Sequence, residues 1–199
     1  MLDADYWAAR YRDGSDGWDI GRANEGLVRE LTDRVAPRAR VLIPGAGRGY
    51  EAETLWRLGY DEVYVCDWAP AALERLRRSE WLPAADRLIV GDFFELSGRY
   101  DAILEQTFFC AIDPGARERY VAKCAELLRP GGIFVGVLFD RAFGVDGASG
   151  RRVGPPFGGT REEYGERFAV KFQSVKIETF AHSILARVDT EVLVVARID

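Results

Sequence analysis

Three glycines at alternate positions, Gly45, Gly47 and Gly49, stand between the apolar run Val41-Leu42-Ile43-Pro44 and a helix-period segment beginning near Ala52. Strand, glycine turn and helix in that order form a cradle for a phosphate or a nucleoside. Glycine permits the tight turn and lets backbone N–H groups come close to a ligand. A dinucleotide fingerprint has its third glycine one position later, where this chain has Tyr50, so the close helix–strand packing of that kind is compromised. The tighter spacing favours adenosylmethionine over a nicotinamide dinucleotide. About 20 residues past the turn comes Asp67, placed to accept hydrogen bonds from both hydroxyls of a ribose. Gly91-Asp92-Phe93 offers an acceptor for an adenine amino group and an aromatic face for the ring, and Glu105-Gln106-Thr107-Phe108-Phe109 sends polar groups into the same crevice. Each also has a plainer reading: a backbone turn, a helix cap at Asp67, a turn residue at Asp92, core at Phe93. His182, the only histidine, reads as structural.

Those residues need a scaffold that brings them to one edge. Apolar runs at 40–44, 62–67, 87–90, 100–105 and 133–139 read as strands, with helical periodicity near 52–58, 71–79 and 117–128. The alternation predicts an α/β fold with a mostly parallel sheet, helices on both faces, and the four ligand-facing motifs at carboxyl ends of strands. Runs at 170–180 and 191–198 predict a terminal antiparallel hairpin at one edge, for seven strands in all. The whole chain, 1–199, reads as one domain. Residues 1–35, with helices near 6–10 and 24–34 around a turn at Gly14 and Gly17, are expected to form a lid, and the glycine-rich segment 142–159 a substrate-side loop.

Composition narrows the partners. Acids outnumber bases 32 to 27 and the net charge is −5, which argues against a nucleic-acid partner. The cysteines, Cys66, Cys110 and Cys124, are widely spaced without a CxxC pair, so they read as reduced thiols of a cytoplasmic protein, with no metal site expected. No stretch approaches the ~20 apolar residues of a membrane span. A monomer or weak homo-oligomer is expected.

Several motifs in order resemble the thiopurine and thiol methyltransferase family, including its halide and thiol branch. They are Trp7-x3-Tyr11-x2-Gly14-x3-Trp18-Asp19-x-Gly21, Val41 through Glu51, Gly91-Asp92-Phe93-Phe94, Glu105 through Pro114, Arg129-Pro130-Gly131-Gly132 and Gly154-Pro155-Pro156-Phe157-Gly158-Gly159. The resemblance implies a Rossmann-like class I methyltransferase that uses S-adenosylmethionine. It further implies that Trp7, Tyr11 and Trp18 fold over the cofactor, Gly45 and Gly47 line its methionine portion, Asp67 holds the ribose, Asp92 and Phe93 contact adenine, and Gln106 lies near the methionine end. Tyr11 stands where the family often has tryptophan, and Gln106 where thiopurine enzymes have a basic residue, which disfavours thiopurines.

Methyl transfer is an in-line displacement that asks the protein mainly to align the acceptor and exclude water. A thiol near pKa ~8.5 needs modest help to ionise and a halide none. The expected acceptor is therefore a small soft nucleophile: a thiol, sulfide or halide. Phe108, Phe109, the 154–159 segment and the lid are expected to bound its pocket, with Arg152 steering an anionic acceptor and Glu105 a candidate proton acceptor. The competing readings are an NAD-dependent oxidoreductase and a cofactor-binding module without turnover.

Overall fold

A computed structural model describes residues 2–150 and 153–199. The elements in chain order are α1 (Ala4–Arg12), α2 (Glu25–Thr32), β1 (Val41–Pro44), α3 (Tyr50–Arg57), β2 (Val63–Asp67), α4 (Glu74–Arg77), β3 (Leu88–Val90), β4 (Tyr100–Gln106), α5 (Arg117–Leu127), β5 (Leu128–Phe139), α6 (Arg161–Ala169), β6 (Ser174–Thr179) and β7 (Glu191–Arg197). Local chemistry starts three helices: the side chains of Asp3, Asn24 and Thr160 accept from the amides of Tyr6, Leu27 and Glu163, satisfying donors that a helix start leaves free.

One seven-stranded sheet runs in the order β3-β2-β1-β4-β5-β7-β6. The first five strands are parallel, and β7 pairs antiparallel with both β5 and β6. The period-two alternation splits the core. Leu42, Ile103 and Phe134 face α5 and α6 with Tyr120, Cys124, Tyr164 and Phe168. Val41, Ile43, Leu104 and Val135 face α2 and α3 with Leu27, Leu31, Leu55 and Trp56. Each such side chain, fully covered, contributes roughly 1.5–3 kcal/mol, so both faces of the central strands hold the sheet.

The structure differs from the sequence reading in three places. The terminal hairpin exists, but β7 lies inside the sheet and β6 takes the edge. The segment between loop and hairpin folds as α6. Of the expected lid, α2 packs into the core through Leu27, Val28 and Leu31, leaving Leu2–Arg22 to reach across the carboxyl end of the sheet.

Candidate functional site

Gly45, Gly47 and Gly49 all adopt positive φ, at 57°, 55° and 69°. Gly45 is constrained twice, since a Cβ there would come 2.2 Å from the Phe108 ring. The glycine is what lets the chain after β4 lie against the turn after β1. Gly49 in the left-handed region caps α3, which launches directly at Tyr50.

Asp67, the last residue of β2, is buried at 9% exposure. Its Oδ2 accepts from the Gly47 amide at 3.0 Å and its Oδ1 from the Ala69 amide at 2.9 Å. Burial pushes its pKa up to about 6, against the pull of these amides and that of Trp68. The carboxylate thus braces the glycine turn and keeps lone pairs for a ligand. Asp92 caps a short turn, its Oδ1 accepting from the Phe94 amide at 2.8 Å. The Phe93 ring is 3% exposed and packs on Phe94, Phe108 and Tyr120.

The crevice beside the turn is lined by Trp18, Asp19, Gly45, Gly47, Glu51, Gln106 and Thr107, among others. Thr107, a β-branched residue at φ 59°, lies in a region such residues avoid, and strain of this kind concentrates at functional sites. Over the crevice the Trp18 ring meets Trp7 and Tyr11 edge-on at 5.4 and 5.5 Å. The Tyr11 hydroxyl stands where a Gly47 Cβ would be 3.2 Å away, and burial with the nearby Asp67 charge holds its pKa well above the usual phenol value. Two ion pairs tie this N-terminal segment to the turn: Arg48 Nη2 with Asp16 Oδ2 at 2.5 Å and Arg48 Nε with Asp19 Oδ2 at 2.6 Å. Glu51 Oε1 accepts from the Asn24 amide at 2.8 Å, and burial raises the Glu51 pKa.

Glu105 and Phe109 lie elsewhere. Strand alternation turns Glu105 to the other face of the sheet from Leu104 and Gln106, where it is fully buried. Its Oε1 accepts from the Phe109 amide at 3.1 Å, burial drives its pKa up to about 8, and Oε2 has no protein partner. Phe109 is likewise fully buried, against Tyr120, Tyr164 and Phe168. Phe109 therefore cannot share a pocket wall with Phe108, whose half-buried ring lies against Gly45. Arg152 lies outside the described residues. His182 is an exposed residue of the β6–β7 connection whose Cβ sits over Gly26.

Sequence reasoning missed the paired Arg48, Asp16 and Asp19, the half-buried Trp68 beside Asp67, and Arg187, whose Nη2 donates to the Trp18 carbonyl at 2.9 Å. The Asp16 and Asp19 spacing, on either side of a tryptophan, was the one available signal. Among the described residues no group of acidic, histidine or cysteine side chains could hold a metal, and no helix is long and apolar enough to cross a membrane.

Adenosylmethionine suits this arrangement: a braced turn with amides close to open space, a carboxylate for a ribose, and aromatic rings for a sulfonium. Comparison with known proteins agrees. The profile of the Thiopurine S-methyltransferase family matches residues 2–197. A probable thiol methyltransferase 2 of Arabidopsis thaliana is 30% identical over 163 residues, 79% of this chain and 69% of that protein. Thiocyanate methyltransferase 1 of Brassica oleracea is 27% identical, covering 94% of this chain and 82% of its own length. A thiopurine S-methyltransferase of Pseudomonas paraeruginosa is 25% identical, covering 89% and 87%. Among solved structures, the 1,6-didemethyltoxoflavin-N1-methyltransferase of Burkholderia thailandensis, with S-adenosylhomocysteine bound, superposes with a TM-score of 0.74 at 23% identity, covering 98% of this chain and 87% of that one. Its strand order and glycine turn, and a match that runs from the N-terminal aromatics into β7, place this chain in the thiopurine S-methyltransferase family of S-adenosylmethionine-dependent class I methyltransferases.

Proposed function

We propose that the methyl acceptor is a small soft nucleophile, a thiol, sulfide or halide, with thiopurines disfavoured. The observation that carries this is the state of the carboxylates at the crevice. Asp19 is paired with Arg48, Glu51 with the Asn24 amide, and Asp67 with two amides, while Glu105 points into the core. Among the described residues no unengaged base faces the crevice, so the site suits an acceptor that ionises easily or carries its charge already. The names of the thiol and thiocyanate methyltransferase relatives support the same class. Three buried unpaired cysteines fit work in a reducing compartment such as the cytoplasm.

Adenosylmethionine, when bound, supplies a methyl group on a cationic sulfur, an activated carbon that needs no further acid. Gly45, Gly47 and Gln106 would hold its methionine end, and Asp67 its ribose. Asp92 would accept from the adenine amino group, and, with the Phe93 ring only 3% exposed, the half-buried Trp68 beside Asp67 would be a second aromatic candidate for the adenine face. Trp7, Tyr11 and Trp18 would cover the sulfonium and exclude water, a contact worth about 0.5–2 kcal/mol. Phe108, packed against Gly45, would stand between cofactor and acceptor and help align the two. The deciding experiment measures S-adenosylhomocysteine release with aliphatic and aromatic thiols, sulfide, iodide, thiocyanate, thiopurines and oxygen nucleophiles. Turnover confined to the simple thiols, sulfide, thiocyanate and iodide, with thiopurines poor, is expected; turnover of oxygen nucleophiles alone, with adenosylmethionine bound normally, sinks the proposal.

A further inference from the structure

Arg117 opens α5 with its side chain fully buried. Stability alone disfavours that placement twice over, since a cation is taken out of water and set at the positive end of a helix. Its bonds show what it holds. Nη2 donates to the Phe157 carbonyl at 2.6 Å, and Nη1 to the Gly158 carbonyl at 3.2 Å and to Glu163 Oε1 at 3.1 Å. The guanidinium carbon lies 4.7 Å from the centre of the Phe109 ring. Alongside, the Phe157 amide donates to the Cys110 carbonyl at 2.6 Å, and Gly159 bridges to Asp140 and Arg141. One side chain therefore ties together the turn after β4, the start of α5, the far end of the 142–159 loop and the first turn of α6.

We infer that Arg117 is a positioning residue for the methyl acceptor: it sets the base of the 142–159 loop against the Phe108–Cys110 turn, and so shapes the acceptor side of the site without serving the cofactor side. The inference rests on the reading of that loop as acceptor-facing. The separation of roles follows from the crevice lining, which draws on the N-terminal segment, α2, β1, the glycine turn, α3, the end of β4 and Thr107 just beyond it, but not on Phe108–Cys110. None of it comes from α5, α6 or Val153–Gly159. A fork of donors on two successive carbonyls is a task for a planar guanidinium, which an ammonium cannot reproduce.

Arg117→Lys and Arg117→Met, checked for native fold by circular dichroism, should bind adenosylmethionine with a Kd within twofold of the wild type. Their KM for iodide should rise tenfold or more, with Met the worse of the two. An unchanged KM in both folded variants overturns the inference, as does a parallel loss of cofactor and acceptor affinity, which marks a merely structural residue. A second measurement needs neither variant nor acceptor and can overturn the inference by itself if the variants do not fold or iodide is not turned over. Hydrogen exchange in the wild type should find the Phe157 amide at least a hundredfold slower than that of Gly147, and equal rates overturn the inference. Failure of the underlying reading looks different: Phe143, whose ring packs edge-on against Phe139 at 5.2 Å, belongs to the same loop, and Phe143→Ala with a wild-type KM for iodide would remove the loop from the acceptor side, whatever Arg117 does.

Discussion

Asp67 and Gly45 carry the sharpest consequences of single-residue chemistry. The folded protein holds the Asp67 proton up to about pH 6, whereas an unperturbed carboxyl releases it near 3.8. Between those values the native state binds more protons than the unfolded one, so this group's contribution to stability falls as pH rises across that window. If Asp67 holds the ribose as proposed, cofactor affinity should run the other way, because ribose hydroxyls donate more strongly to the ionised form. Calorimetry should show adenosylmethionine binding tighten as pH rises through about 6 and level off above it. Asp67→Asn should weaken binding at neutral pH by roughly ten- to a hundredfold, the scale of a lost charged hydrogen bond of ~1.5–3 kcal/mol; an Asn variant that keeps the same pH dependence would assign the titration to another group. Gly45→Ala meets both a left-handed backbone and the Phe108 ring, and denaturant melts should record a loss of about 1–3 kcal/mol. Pairing it with Phe108→Ala removes the clash but not the backbone strain, so the double variant should recover only part of that loss.

At the scale of elements, legibility followed the strength of the periodic signal. The strands of the parallel sheet are buried on both faces and read as short apolar runs, which is why β1, β2 and β4 fall within a residue or two of expectation. In contrast, α6 escaped notice because Arg161-Glu162-Glu163-Tyr164-Gly165-Glu166-Arg167-Phe168 buries only Tyr164 and Phe168, two apolar positions in a charged frame with a glycine between them. The gathering of the glycine turn, Trp18 and Gln106 along one crevice, with Asp67 bracing the turn, was legible because each stands at a strand end or in a spaced motif. Which face Glu105 and Phe109 take was not, since a continuous apolar run hides the alternation that a half-exposed strand displays. The link from Arg48 to Asp16 and Asp19 was also hidden, being a contact between segments some thirty residues apart. These pairs are partly solvated, so each stabilises the N-terminal segment by no more than about 1 kcal/mol. Asp16→Asn with Asp19→Asn should therefore leave the melting temperature nearly unchanged while S-adenosylhomocysteine leaves about five- to tenfold faster, and stopped-flow release at low and high salt checks this. A release rate identical to wild type at low salt would mean that the pairs do not govern access.

The whole molecule behaves as one sheet with two covered faces, so heat should unfold it in a single transition. A ligand that binds only the native state adds to its stability by mass action, about 2.7 kcal/mol at a hundred times Kd. Adenosylmethionine should accordingly raise the melting temperature by several degrees, and NAD should leave it unmoved. A shift with NAD of the same size would reopen the dinucleotide reading that Tyr50 and the family match set aside. The position of β7 bears on how the chain is made as well as on how it is held. As a nascent chain emerges, β5 and β6 are both complete before the strand that joins them has been synthesised. During that interval the apolar side chains of Ile133–Phe139 border an unpaired edge, open to any passing strand. The methyltransferase sheet is thus sealed from within by β7, and the interval of greatest exposure in its biogenesis runs from the emergence of β5 until β7 is free to pair with it.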